Sequence, residues 1–297
     1  MIRGSTRVVP VTMRLSTQQT IFWLRLVTLV GLCVPALELA WRWYNGDLEP
    51  RTVTLATHVT GDWAVVFLLT SLSLTPARAL FDWMPLTQVR RRVGVAAALY
   101  ALAHLLIYVL DQKWNLIVVA TEIAKRFYLT IGFAALLVFT VLAITSTNGW
   151  QRRLKRNWKR LHWLVYPAVA VALVHFFIQS KVKIGDAAFA AGLFLWLMLW
   201  RLFPPKLRTS FAGLFLLAGA ATLGTVVIEA TWYGLVNKID PLRVLAANID
   251  LDLVPRPAHQ VLAVSLLVIV LVALRRGIAA ANRLWTGRYI RQTIPTS

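Results

Sequence analysis

Five histidines hold most of the metal-binding chemistry this sequence offers: His58, His104, His162, His175 and His259. A neutral imidazole binds metals and exchanges its proton near neutral pH. His104 stands between Ala103 and Leu105, His175 lies in Leu173-Val174-His175-Phe176-Phe177, and His162 opens an apolar stretch just after a basic run. Ionisable groups inside a bilayer are costly and tend to mark function. Cys33 is the sole cysteine of the sequence. That leaves no internal disulfide, no Cys-x-x-Cys-His attachment of haem and no thiolate-ligated iron–sulfur cluster.

The elements that must position these histidines are apolar blocks. Of the 297 residues, 58% are hydrophobic and 15% charged, against about a quarter charged in an ordinary soluble domain. The blocks run approximately over 20–40, 60–75, 93–110, 128–147, 162–179, 187–203, 211–235 and 259–274. The second is short, so its span is expected to begin near His58. A helical span needs about 20 residues, and eight such blocks leave no polar surface for a soluble fold. The first block is followed by no small-residue cleavage site and is longer than a signal core, which makes it a retained helix. The expectation is an all-α polytopic transmembrane bundle.

The net charge of +20 could suggest nucleic acid, but its distribution excludes that. Counting from an inside N-terminus, the inside segments hold 21 Lys and Arg, the outside segments 10, and Arg25 lies within the first span. This asymmetry places both termini in the cytoplasm. The basic charge is then a topology signal and a contact for anionic membrane lipid. No connection is long enough for a soluble domain, and neither a Gly-rich dinucleotide fingerprint nor a P-loop is present. Pro204 and Pro205 mark a boundary. The expected organisation is a cytoplasmic tail over 1–19, a six-helix core over 20–203 and an extension over 204–297, with two spans and a basic tail. Internal repeats are not apparent.

Depth sharpens the histidines. His104 is 12 residues beyond Arg92, about 18 Å along a helix, and His175 is 15 beyond Arg160, about 22 Å. Both spans run in the same direction, so the two imidazoles share a level in the outer half, while His162 lies near the cytoplasmic face. Two neutral imidazoles at one level can ligate a haem iron from both sides; a membrane histidine can equally be a hydrogen-bonding residue between helices. His162 and His175 are 13 residues apart, about 140° around an ideal helix, with Pro167 between them as a source of a kink. The small residues Gly94, Ala96, Ala97, Ala98, Ala101 and Ala103, with Gly132, Ala134 and Ala135, admit a macrocycle or simply close helix packing. His58 with Asp62 reads as a hydrated interfacial pair or a quinone or partner contact, and His259 as an interfacial residue. Glu229 reads as a packing residue or a proton or quinone contact.

Several ordered stretches carry a resemblance. They are His58-Val-Thr-Gly61 with Trp63-Ala64, Leu74-Thr-Pro-Ala-Arg78, Ala103-His104-Leu105, Thr145-Ser-Thr-Asn148 with Trp150, and Trp158-Lys-Arg-Leu-His162-Trp-Leu-Val-Tyr166 with Val174-His175-Phe176. Together they resemble the haem-binding membrane subunits of the bacterial periplasmic methionine-sulfoxide reductase system, the MsrQ (YedZ) family, within the ferric-reductase-like transmembrane domains.

The resemblance implies b-type haem with His104, His162 and His175 as its iron ligands, and FMN as a further cofactor. It implies electrons drawn from the quinone pool or a cytoplasmic flavin reductase and passed to a molybdenum-containing periplasmic subunit, MsrP-like, that reduces methionine sulfoxide in oxidised proteins. The location implied is the bacterial inner membrane. The chain departs from ferric-reductase-like relatives with a histidine pair on the third span, because Arg91 stands 13 residues before His104. A guanidinium stays protonated and is no ligand. The last two spans also exceed the usual six-helix core. A stand-alone ferric or quinone reductase is the alternative within redox chemistry. A transporter fits less well, since few acidic groups lie in the spans and paired helix breaks in repeated halves are absent. A scaffold protein is a further alternative that bound cofactor would exclude.

Overall fold

The computed structural model describes residues 17–181, 183–250 and 255–293. Its elements follow from the apolar blocks. The helices are α1 (Thr17–Tyr44), α2 (Thr52–Phe81), α3 (Arg90–Asp111), α4 (Leu116–Lys125), α5 (Phe127–Ile144), α6 (Asn148–Leu154), α7 (Arg156–His162), α8 (Val165–Ser180), α9 (Gly185–Leu202), α10 (Pro205–Arg208), α11 (Phe211–Val236), α12 (Pro241–Ile249) and α13 (Pro257–Thr293). Eight helical stretches among the described residues are long and apolar enough to cross a membrane. α7 and α8 form one of these, as do α3 and the 3-10 turn before it. The chain is a multi-pass membrane bundle.

The second span begins at Thr52, earlier than the expected start near His58. α1 packs chiefly on α2, α3 and the turn before α3, and its Val27, Val34 and Leu37 are exposed. Across the bundle, large apolar side chains face outward and small ones fill the centre. Ala97, Ala187, Ala188 and Ala221 are fully buried. In lipid no hydrophobic force separates helix from solvent, so close approach through small side chains holds the bundle.

Two helix pairs form the heart of the molecule, α2 against α3 and α5 against α8, joined by contacts of α3 with α5. α9 bridges this core to α11 and α13. Gly192 of α9 is the closest point: a Cβ there would collide with Thr225 of α11 and Val261 of α13. The apolar core is continuous into these last helices through Leu214, Leu217, Ala221, Val261 and Val272.

The connections divide the bundle into two ends. One carries α6, α7 and α10 with Arg152, Arg153, Lys159, Arg160, Lys206 and Arg208; it is called the basic end below. The opposite end carries the short amphipathic helices α4 and α12, capped by Asn115 and Asp240 through bonds to the N–H groups of Val118 and Leu242.

Candidate functional site

His104 projects from α3 and His175 from α8, and the fold brings them together. Their ring centroids are 6.3 Å apart and their planes stand at 86°. The Nδ1 of His104 lies 2.8 Å from the backbone oxygen of Thr57 on α2. The Nδ1 of His175 lies 2.7 Å from the backbone oxygen of Tyr128 on α5. A carbonyl only accepts, so each Nδ1 carries the proton and each Nε2 keeps its lone pair.

Both oxygens point from intact helices, where the carbonyl already serves its own ladder and uses its second lone pair for the imidazole. A glycine one turn on makes room for the ring. A Cβ on Gly61 would come within 3.0 Å of the Nδ1 of His104, and one on Gly132 within 2.7 Å of the Nδ1 of His175. The carbonyl-to-histidine separation is 47 residues in both cases. The core is therefore a repeated unit of carbonyl, glycine and histidine, although the sequence shows no repeat outright. Sequence reasoning named Gly61 only within a resembling stretch and Gly132 only as a small residue that admits a macrocycle or close packing; their role as seats for the rings and the two carbonyls were missed. The signal available was the equal spacing from Gly61 to His104 and from Gly132 to His175.

The repeat also explains Arg91. It stands 13 residues before His104, as His162 stands 13 before His175, so the two occupy equivalent positions. Arg91 donates to the Oδ1 of Asn148 at 2.6 Å. His162 ends α7 and stacks on Trp158 with centroids 3.9 Å apart. Its Nδ1 lies 3.1 Å from the oxygen of Trp158, and its Nε2 is 3.4 Å from the Oγ of Ser146. The structure does not bring His162 to the His104–His175 pair. The helix breaks at Trp163 and Leu164 rather than bending at Pro167 itself. Pro167 has no N–H for the carbonyl of Trp163.

The remaining candidates lie elsewhere. His58 is exposed on α2, four residues before Asp62. Glu229 on α11 is buried and paired with Arg256 at 2.7 Å, and Asn248 of α12 donates to its Oε2 at 3.0 Å. His259 joins this cluster: its Nδ1 accepts from the N–H of Arg256 at 3.3 Å and its Nε2 donates to the oxygen of Asn248 at 2.8 Å. Among the described residues no group of three or more His, Cys, Asp or Glu side chains could hold a metal ion.

Comparison with known proteins decides the family. Residues 60–173 match the ferric reductase like transmembrane component. The chain is 42% identical over 174 residues to the protein-methionine-sulfoxide reductase heme-binding subunit MsrQ of Xanthomonas oryzae pv. oryzae, which covers 56% of this chain and 80% of that relative. It is 38% identical over 186 residues to the MsrQ of Rhodospirillum rubrum, covering 62% of this chain and 89% of the relative. The chain belongs to the MsrQ family. None of the solved structures matches it.

The family name states haem binding, and the pair can be tested against that on its own geometry. A metal–imidazole bond is about 2.0–2.1 Å, so two of them with the inner halves of two rings add to roughly 6 Å. The 6.3 Å between centroids fits one iron shared by two imidazoles. The anchored Nδ1 protons fix the tautomer that leaves Nε2 for a metal. The residues of this chain thus suit a haem that needs no covalent attachment.

Proposed function

We propose that this chain is the membrane electron carrier of a periplasmic methionine-sulfoxide reductase system, with b-type haem held between His104 and His175. The observation that carries the reading is the pair itself, two imidazoles within one iron's span, each fixed through Nδ1 to the main chain of a different helix. Haem bound there supplies a one-electron couple inside the bilayer.

The chain's own residues do the rest. The carbonyls of Thr57 and Tyr128 hold the ligand rings in one tautomer and orientation. Gly61 and Gly132 let those rings lie flat against the neighbouring helix. The buried Ala97, Ala98, Ala168 and Val169 exclude water between the pairs. Electrons enter from the quinone pool or a cytoplasmic flavin reductase, and leave to a molybdenum-containing, MsrP-like periplasmic subunit that repairs oxidised methionine. His162 is a third candidate ligand at the basic end, where its 3.4 Å contact with Ser146 is weak enough for a metal to replace. Its level faces Arg91, which cannot ligate. FMN belongs to this reading through the family likeness alone. The 21-to-10 distribution of Lys and Arg supports an inner-membrane protein with the basic end and both termini in the cytoplasm.

The test is the optical spectrum of the detergent-purified chain, oxidised and then dithionite-reduced, with a pyridine haemochrome count. Sharp b-type bands are expected, most of whose absorbance is lost in His175→Ala. A folded, colourless protein from haem-replete cells overturns the reading.

A further inference from the structure

A cavity of about 610 Å³ lies between α2, α9 and α13, walled by Asp62, Leu69 and Pro76 of α2, Asp186 and Leu193 of α9 and Val264 of α13. It follows α2 from Asp62 to Phe81, about 28 Å of helix. The cavity is therefore long and mostly apolar, the shape of a hydrocarbon tail lying along the helix. Apart from its two carboxylates, its polar lining is sparse: the hydroxyls of Thr70, Ser73 and Ser265 and the indole of Trp196. Thr70 and Ser265 turn their hydroxyls back to Val66 and Val261 of their own helices. Val66 and Val264 are exposed on its rim, so it communicates with the acyl region of the bilayer.

The two carboxylates, Asp62 and Asp186, sit together at the outer end. That end is also the level of the imidazole pair. Asp62 directly follows Gly61, the seat of His104, and the wall residue Phe176 directly follows His175. The lining suits a lipophilic occupant with a head that donates hydrogen bonds to carboxylates. Phosphate-bearing heads are repelled by two like charges. A head with paired hydroxyl donors is complementary, because ionised carboxylates only accept.

We propose that this cavity is the binding site of a membrane quinol, its ring between Asp62 and Asp186 and its isoprenoid tail along α2 and α13. The site rests on the reading of His104 and His175 as haem ligands. Oxidation of the quinol breaks two O–H bonds. The two protons pass to the carboxylates of Asp62 and Asp186 and on to the outer water. A haem held by His104 and His175 would take the two electrons one at a time and hand each on to the periplasmic reductase subunit, the terminal acceptor of the proposed function. α13 completes the wall, which gives the C-terminal extension a role in substrate binding.

The experiment uses the full chain and decylubiquinone as probe. Retention of decylubiquinone by the purified protein is measured by extraction and chromatography, and haem reduction by anaerobic decylubiquinol is followed in stopped flow. Val264→Trp fills the cavity from a position already partly exposed, so the indole displaces no core residue. It should lower retention at least fivefold and slow haem reduction in step. Asp62→Asn with Asp186→Asn should slow reduction at least tenfold. Both variants should keep the haem spectrum and its dithionite reduction, which separates failure here from failure of the ligand pair. Wild-type retention and rate in Val264→Trp with normal haem overturn the site. So does a Val264→Trp variant that loses bound phospholipid while keeping decylubiquinone.

Discussion

The imidazole of His104 stands 6.3 Å from that of His175, centroid to centroid, with the planes at 86°. Each ring bonds a backbone oxygen of another helix. This relationship sets the order of expected mutational effects.

His104→Ala and His175→Ala should each remove at least nine-tenths of the b-type absorbance, because one imidazole alone leaves the iron half-ligated. His162→Ala should leave the bands of that pair intact, since His162 contacts Trp158 and Ser146 and not the pair. The haemochrome count per chain in the three variants checks this. Loss of the same bands in His162→Ala would contradict the pairing.

Gly132→Ala should cost more haem than Gly61→Ala. The added Cβ meets the imidazole at 2.7 Å in the first case and 3.0 Å in the second, and the ring can retreat only by giving up its carbonyl. Haem-to-protein ratios of the two variants, purified side by side, decide the order.

Breaking the pair of Glu229 and Arg256 should destabilise the extension. The side chains are 3% and 23% exposed, and removing one member of a buried pair costs about 3–5 kcal/mol. Glu229→Ala should lower the thermal midpoint in detergent while the folded protein keeps its haem spectrum. Glu229→Gln combined with Arg256→Met should recover much of the loss. A Glu229→Ala midpoint equal to wild type would remove the clamp from the account.

Gly192→Leu should loosen α9 from α11 and α13, whose Thr225 and Val261 occupy the space of its side chain. Limited proteolysis in the segment around Pro204 and Pro205 should become faster than in wild type. Unchanged cleavage would show that the contact yields without consequence.

Reporter fusions test the orientation. A periplasm-dependent phosphatase joined near Lys113 or Lys238 should be active, and one joined near Trp83 or Lys155 inactive. The reverse pattern would invert the topology drawn from the basic residues.

Much of this molecule could be read from the sequence, for stated reasons. A bilayer fixes the length of a span, so eight apolar blocks became eight spanning helices. Helical rise converts residue number into depth, so the common level of His104 and His175 was readable before their contact was seen. The short helices α4 and α12 were not, because at 10 and 9 residues they fall below span length. The partner of Glu229 was hidden in a connection, 27 residues away at Arg256. The anchors of the two histidines were hidden more deeply, since a backbone oxygen has no letter of its own in a sequence.

That last feature bears on inheritance. The groups that orient the two imidazoles belong to Thr57 and Tyr128, residues of unlike shape and chemistry, and their side chains are irrelevant to the bond. Any residue that keeps the helix supplies the same acceptor, although the ring of Tyr128 also lies 6.4 Å from that of His175. Only the glycine one turn away is tied to its identity. A ligand shell written in main chain is thus robust to substitution in a way that a carboxylate partner never is. It could be transplanted into another helix pair with two residues, a glycine and a histidine.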